Sequence, residues 1–270
     1  MQYRQSDPPP VLTIDALRHP LVRHFISTRV GGFSAPPFHW LNLGFHVGDD
    51  PAVVLRNRAH LARALDIPVS SFVFAEQVHG AEVAVVSDED RGCGATTYED
   101  SIPGCDALVT NRPGICLTVL TADCVPLLLL DPVRKVVSAV HAGWRGTVNG
   151  IARRAVETMV REFRCSPDDI LAGMGPSVGH CCYEVGQDVA EQVKAAFGPA
   201  EGVLHAGLGT SVRLDLREAN RRQLLHAGLR SDAVHVLPEC TCCRSDLFYS
   251  VRAQKGPTGR FASGIMLVEP

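Results

Sequence analysis

This chain of 270 residues has no apolar stretch near the ~20 residues that a bilayer-spanning helix requires, so no membrane partner is expected. It also has no clustered basic excess. The formal charge is −3 at pH 7, and a nucleic-acid partner, which calls for a basic face, is not expected. The first ten residues, Met1 to Pro10, lack the apolar core of a signal peptide and read as part of a loose leader, 1–22, with a cytoplasmic setting implied. Repeats, low-complexity tracts and long linkers are missing as well, which leaves a single domain, 23–270, as the expectation. No His-Glu-x-x-His motif and no matched pair of Cys-x-x-Cys motifs occurs, so any metal site must be assembled from distant residues.

Cysteine, by contrast, is plentiful, at ten residues. In a chain of this length without a signal region these read as free thiols, packing residues or ligands rather than a disulfide frame. Cys181-Cys182 and the group Cys240, Cys242 and Cys243 invite a second, thiolate-rich metal site. Adjacent cysteines rarely share one tetrahedral ion, however, and the lone Cys-x-x-Cys spacing from Cys240 to Cys243 suits a redox pair equally well. A second zinc is therefore not the expectation from these spacings.

Periodicity predicts a helix over 51–65, with Val53, Val54, Leu55, Leu61, Ala62 and Leu65 on its apolar stripe and Arg56, Arg58 and Arg63 outward. Apolar runs predict strands at 23–29, 72–75, 82–86, 107–110, 116–120, 126–130, 136–140, 170–174, 233–237 and 248–251. Polar, glycine-bearing 88–104 reads as a surface loop. A long helix is expected from Thr147, as cap, to Phe163, with others at 188–197 and 216–227. Strands and helices intermix without a regular βαβ rhythm. The expected class is α+β: mixed β-sheets in a sandwich-like core flanked by helices.

The densest chemistry is Thr121-Ala-Asp-Cys-Val-Pro126, followed by His141-Ala-Gly-Trp-Arg-Gly146. The runs 127–130 and 136–140 between them read as adjacent buried strands that carry thiol and imidazole on nearby ends. His79, in Gln77-Val-His-Gly80, again follows an apolar run. His79, Cys124 and His141 would make a three-ligand set of the kind that leaves a catalytic zinc one open position. The same atoms admit another use, a Cys124–His141 thiolate–imidazolium dyad with Asp123 or another group orienting the ring. Amide groups at the helix start, with Arg145, make a candidate anion site. Arg29 reads either as a ligand-binding cation or as a surface charge beside the Gly31-Gly32 turn. Asn42 reads as a loop staple or a substrate contact, with His46 close by.

The ordered set Thr28-Arg-Val-Gly-Gly-Phe-Ser34, Asn42-Leu-Gly44, Val47-Gly-Asp-Asp50, Asn57-Arg58, Gln77-Val-His-Gly80, Asp106-Ala-Leu-Val-Thr110, Ala122-Asp-Cys-Val-Pro126, His141-Ala-Gly-Trp-Arg-Gly146, Gly175-Pro-Ser177, Tyr183-Glu-Val-Gly186, Cys240-Thr241 and Thr258-Gly-Arg260 resembles the YfiH-type family. That family is also described as laccase-domain or polyphenol-oxidase-like, and as zinc-dependent purine nucleoside phosphorylases. The resemblance spans 28–267 and departs at Ser250-Val-Arg252 and His180. It implies one zinc on His79, Cys124 and His141. It further implies phosphorolysis of adenosine, inosine, guanosine and methylthioadenosine, together with adenosine deamination. On this reading the partners are a purine nucleoside and phosphate, with Arg29 and Arg145 holding phosphate. Asn42 and His46 would contact the nucleoside, and Asp123 would shuttle protons. Three other readings stay open: a copper-dependent polyphenol oxidase, a hydrolase that edits amino acids in peptidoglycan precursors, and a non-catalytic module with structural zinc. Scattered histidines count against a multi-copper assembly.

Overall fold

The computed structural model describes residues 7–207, 209 and 211–268. Its strands begin with β1 (Val11–Leu12), β2 (Val22–Ser27), β3 (Phe72–Phe74), β4 (Val83–Val85), β5 (Ala107–Thr110), β6 (Cys116–Thr121), β7 (Val125–Asp131) and β8 (Val136–Ala142). They continue with β9 (Leu171–Met174), β10 (Glu184–Val185), β11 (Leu204–Ala206), β12 (Val212–Leu214), β13 (Val234–Val236) and β14 (Phe261–Leu267). The α-helices are α1 (Pro51–Leu65), α2 (Trp144–Val148), α3 (Ile151–Phe163), α4 (Gln187–Phe197), α5 (Leu216–His226) and α6 (Val251–Gln254).

One sheet runs β1-β2-β14-β6-β3 and a second runs β13-β9-β7-β8-β5-β4, with a small third sheet β10-β12-β11 beside them. Both large sheets are mixed: β3 lies parallel to β6, β4 to β5 and β13 to β9, while the remaining pairs are antiparallel. The four successive leucines of β7 show why the sheets stack. Side chains alternate across a strand, so Leu128 and Leu130 face Leu117, Val119 and Ile265 of the first sheet. Leu127 and Leu129 turn the other way, onto Ile151, Ala155, Val156 and Met159 of α3. The outer face of the first sheet, with Phe25, Phe72, Phe74 and Leu120, is covered by Leu61 and Ala62 of α1. The order is thus helix, sheet, sheet, helix, the α+β sandwich expected.

Local signals set several boundaries. Helix α1 starts where the Asp50 side chain accepts from the Ala52 amide and Pro51 needs no amide partner. Within it Arg58, expected outward, is buried because its guanidinium donates to the Leu43 and Ala95 carbonyls, and Leu55, expected on the stripe, is exposed. The helix expected over 147–163 is instead broken in two. Gly143 takes the first N-cap position, and Gly150, at φ 83°, breaks the helical backbone before α3 although the apolar periodicity runs past it. Thr147 is no cap; its hydroxyl accepts from Asn220. The strand expected over 248–251 does not form: Phe248 and Tyr249 are buried core, and Ser250 caps α6 by accepting from the Ala253 amide. Nor is the part of 1–22 that is described loose. Val11–Leu12 pairs with β2, and Ile14 and Leu17 are buried in the intersheet core, because that core needs apolar cover at its rim.

Strand β14, unforeseen from the sequence, lies between β2 and β6. Gly264 makes that position habitable: a Cβ there would come 2.5 Å from Phe25 Cε1 and 3.2 Å from Cys116 Sγ. Gly264→Ala is expected to lose ~1–3 kcal/mol of stability through overpacking. Urea unfolding measures this, and an unchanged midpoint would mean that the Phe25 ring yields freely.

Candidate functional site

Sheet register gathers the chemistry at one end of the six-stranded sheet. In the β7–β8 hairpin Val125 pairs with Ala142 and Pro126 with His141, so Cys124 and His141 share the open end. Strand β5 runs antiparallel to β8, and β4 parallel to β5. Asp106 and the 78–80 turn, which precede those strands, therefore arrive at the same end. Gln77 fixes that turn to the other sheet: its side-chain amide donates to the Leu120 carbonyl (2.7 Å) and accepts from the Leu120 amide (2.8 Å).

The ligand atoms of His79, Cys124 and His141 lie within 4.8 Å of one another. The two rings stand edge to face with centroids 4.9 Å apart. Asp106, which was not picked out as a site residue by sequence reasoning, anchors them. Its fully buried carboxylate accepts from the amides of Val78 (3.2 Å), His79 (3.0 Å) and Gly80 (2.6 Å) and from His141 Nδ1 (2.7 Å). With Nδ1–H on the carboxylate, Nε2 of His141 is the nitrogen available to a metal. His79 has φ 59° and Asp123 φ 92°. Two side-chain-bearing residues in the left-handed region beside one cluster mark a backbone held by its surroundings. Space is also reserved, since a Cβ on Gly143 would stand 3.0 Å from both Cys124 Sγ and His79 Cδ2.

Electrostatics follow this geometry. Burial alone would raise the Cys124 thiol, but His141 and then His79 outweigh it and bring it down to about 6. Burial would lower His141; Cys124 and Asp106 overcome that and carry it up to about 9. For Asp106 the burial penalty is exceeded by His141 and the turn amides, which hold the carboxyl below its usual range.

The other expected residues divide. His46 keeps part of its surface exposed, and its ring is tilted by 44° to that of Tyr98 with centroids 5.7 Å apart. Enclosure by protein, followed by the charges of Arg260, Arg58, His141 and His79, depresses it to about 4, so it is neutral at pH 7 beside the cluster. Asn42 is the loop staple. It is fully buried, donates to Gly44 O and Asp49 Oδ2, and accepts from the amides of Gly44 and Arg260. Arg29 is no surface cation but a buried brace. It donates to the carbonyls of His39 and Ser245 and lies 4.6 Å from the Tyr249 ring centroid. Arg145 is exposed over the Trp144 ring, on the short helix α2 rather than at the head of a long one. Asp123 bridges two segments, accepting from Thr241 Oγ1 (2.6 Å) and the Arg252 amide (2.7 Å).

Arg260 and Tyr183, each in a family landmark without an assigned role, also lie in the field of the cluster. Burial lowers the Arg260 guanidinium, while the charges of Cys124 and Asp123 act in the other direction, which places it in the field of the cluster. Tyr183 feels Cys124, Asp123, Arg252 and Arg145 and is raised, chiefly by burial.

The fold and this cluster together define a class, a two-sheet sandwich with a His, Cys and His set at one sheet end. The chain belongs to the multi-copper polyphenol oxidoreductase laccase family, whose model matches residues 23–268. It is 40% identical over 241 residues to the purine nucleoside phosphorylase YlmD of Geobacillus stearothermophilus, covering 89% of this chain and 88% of the relative. It is 38% identical over 247 residues to adenosine deaminase RL5 from an unknown prokaryotic organism, covering 90% and 93%. The crystal structure of YlmD from G. stearothermophilus superimposes with a TM-score of 0.94 at 37% identity over 99% of both chains. That of the Bacillus licheniformis hypothetical protein YfiH gives 0.92 at 38% over 97% of both.

The depressed thiol has a measurable consequence. In chelator-treated protein, Cys124 should alkylate with iodoacetamide in step with its thiolate, rising through pH about 6 rather than the ordinary thiol value of 9.0. Rate against pH, read by peptide mass, tests this; a midpoint near the ordinary value would mean that the imidazoles do not act on the sulfur.

Proposed function

We propose that this protein is a zinc-dependent purine nucleoside phosphorylase, acting on adenosine, inosine, guanosine and methylthioadenosine, with adenosine deaminase activity at the same site. The observation that carries the reading is the convergence of His79, Cys124 and His141 with Asp106 behind them. Two imidazoles and a thiolate suit zinc, and three protein ligands leave a position for a reactant, in the space that Gly143 keeps clear. Bound there, zinc supplies Lewis acidity toward a reactant oxygen. The relatives named for phosphorolysis and for adenosine deamination, matched over most of both chains, support the two activities.

In phosphorolysis a phosphate oxygen bonds to the anomeric carbon as the glycosidic bond breaks, and the departing purine takes up a proton. Positive charge grows on the ribose meanwhile. Arg260 is the proposed principal phosphate ligand, with Arg145 at the rim; a guanidinium can hold two phosphate oxygens at once. One nitrogen of Arg260 is fixed by the Thr258 and Gly259 carbonyls, which orients the rest of the group. The phosphate role first read into Arg29 passes to Arg260, because the donors of Arg29 already serve carbonyls. Neutral His46 offers one donor and one acceptor for nucleoside hydroxyls or base. Asp123 shapes the loop through Thr241 and Arg252. A cytoplasmic setting is proposed with this, since its ten free thiols suit a reducing compartment.

One observation favours a second reading. A thiol brought to about 6 beside a protonated imidazole is also a competent nucleophile toward an amide, as editing of peptidoglycan precursors would require. Copper oxidation is less well supported: among the described residues, no candidate cluster holds more than two histidines.

Adenosine turnover with and without phosphate, followed by chromatography of adenine, inosine and hypoxanthine, tests the proposal. Wild type should form adenine only with phosphate and inosine without it. Cys124→Ala and His141→Ala should each lose at least about 100-fold of both. Metal-replete protein that forms neither base nor inosine, yet releases amino acid from peptidoglycan precursors, would replace this reading with the second.

A further inference from the structure

A second sulfur cluster lies apart from His79, Cys124 and His141. The chain leaves β9, passes Ser177 in an isolated parallel bridge with Cys240, and turns through 179–182 into Tyr183 and β10. The Thr241 amide donates to the Ser177 carbonyl, and Cys240–Cys243 occupies the facing turn. Across this junction the sulfurs of Cys181, Cys182, Cys240 and Cys243 all lie within 4.8 Å of one another. Cys182 Sγ is 3.4 Å and Cys181 Sγ 3.8 Å from Cys243 Sγ. A tetrahedral zinc with Zn–S bonds of about 2.3 Å sets its sulfurs ~3.8 Å apart. These four are therefore near ligand spacing without being bonded to one another.

The surroundings are those of a thiolate site. The Gly179 amide donates to Cys240 Sγ at 3.2 Å, the kind of contact that stabilises sulfur carrying negative charge. A Cβ on Gly179 would meet Arg217 Nη2 at 2.8 Å and Cys181 Sγ at 3.1 Å, so a guanidinium stands against the cluster and the turn has no room for a side chain. Adjacency of Cys181 and Cys182, which weighs against a shared ion in sequence, is no obstacle here, because both sulfurs approach Cys243.

We infer that Cys181, Cys182, Cys240 and Cys243 bind one zinc ion in a closed, structural thiolate site that ties the 177–183 turn to the 240–244 turn. Four protein ligands leave no open position, which is the mark of a structural rather than a catalytic zinc. The tie bears on the reaction site through its neighbours in sequence: Thr241, between two of the cysteines, holds the Asp123 carboxylate, and Tyr183 follows Cys182. The inference stands independently of the nucleoside reading.

Zinc counting in a Cys124→Ala background isolates the second site. Wild type should carry about two zinc ions per chain and Cys124→Ala about one. Adding Cys181→Ser and Cys243→Ser should remove the remainder, whereas adding Cys242→Ser should not. Cobalt-loaded Cys124→Ala should show strong thiolate-to-cobalt charge-transfer absorption that collapses on adding Cys181→Ser alone. Cys181 is exposed, so that single change preserves the fold for measurement should the combined variant fail to express. A Cys124→Ala protein that takes up neither zinc nor cobalt would overturn the inference, as would zinc that survives loss of Cys181 and Cys243. Intact mass showing a disulfide among the four thiols of zinc-saturated protein would overturn it too.

Discussion

A carboxylate with no exposed surface must have its charge met by the groups around it, and those around Asp106 are what organise the reaction site. Three successive amides, from Val78 to Gly80, and the Nδ1 of His141 all point at it. The amides hold His79 in a left-handed conformation that a histidine would not adopt unaided, and so aim its ring at Cys124. The fourth bond sets the tautomer and direction of His141. One buried charge thus positions two of the three proposed ligands, from the residue just before β5, where neither is a sequence neighbour.

The sandwich makes that arrangement possible. Strands β4, β5, β7 and β8 bring their chemistry to one end only because β8 is antiparallel to both flanking strands while β4 follows β5. Burial on both faces of the sheet then keeps the dielectric low around Asp106, His141 and Cys124, so that their charges shift one another's ionisation so far. On the opposite side of Asp123, the 177–183 and 240–244 turns close the wall. The sulfur cluster and the reaction site are linked through Asp123, whose carboxylate accepts from Thr241 and whose carbonyl accepts from the Val178 amide, and through Tyr183, rather than through a shared ion.

Parts of this are legible in the sequence. The run 51–65 carried its own cap, Asp50, its own starter, Pro51, and an apolar stripe, and it forms that helix. The spacing of Cys124 and His141 around two apolar runs reads as adjacent strands with those residues on nearby ends, and the antiparallel β7–β8 pair does return the chain to the same end. Other parts depend on distant groups. Strand β14 contains Ser263 and Gly264, which weaken its signal, and it exists because β2 and β6 leave a gap between them. The apolar period continues through Gly150, so periodicity joins α2 and α3, and only the left-handed φ separates them. Arg29 looks like a ligand-binding cation beside a flexible turn, and its engagement with the His39 and Ser245 carbonyls shows only in three dimensions. Asp106 opens one of the family landmarks, but nothing local gives it a role; an acidic residue at the foot of a strand gains its meaning from the 78–80 turn and His141.

The most direct test of this account is zinc affinity in Asp106→Asn, measured by chelator competition on protein whose circular dichroism and unfolding midpoint match wild type. An asparagine can keep some of the amide contacts but removes the charge that holds His141 and the turn. The account predicts zinc at the His79, Cys124 and His141 site weakened by about 10- to 100-fold, with Cys124 alkylation in the metal-free protein moving to higher pH as the imidazole above it loses its proton. Unchanged affinity and an unchanged alkylation profile would contradict it, and would mean that the three ligands are positioned without Asp106.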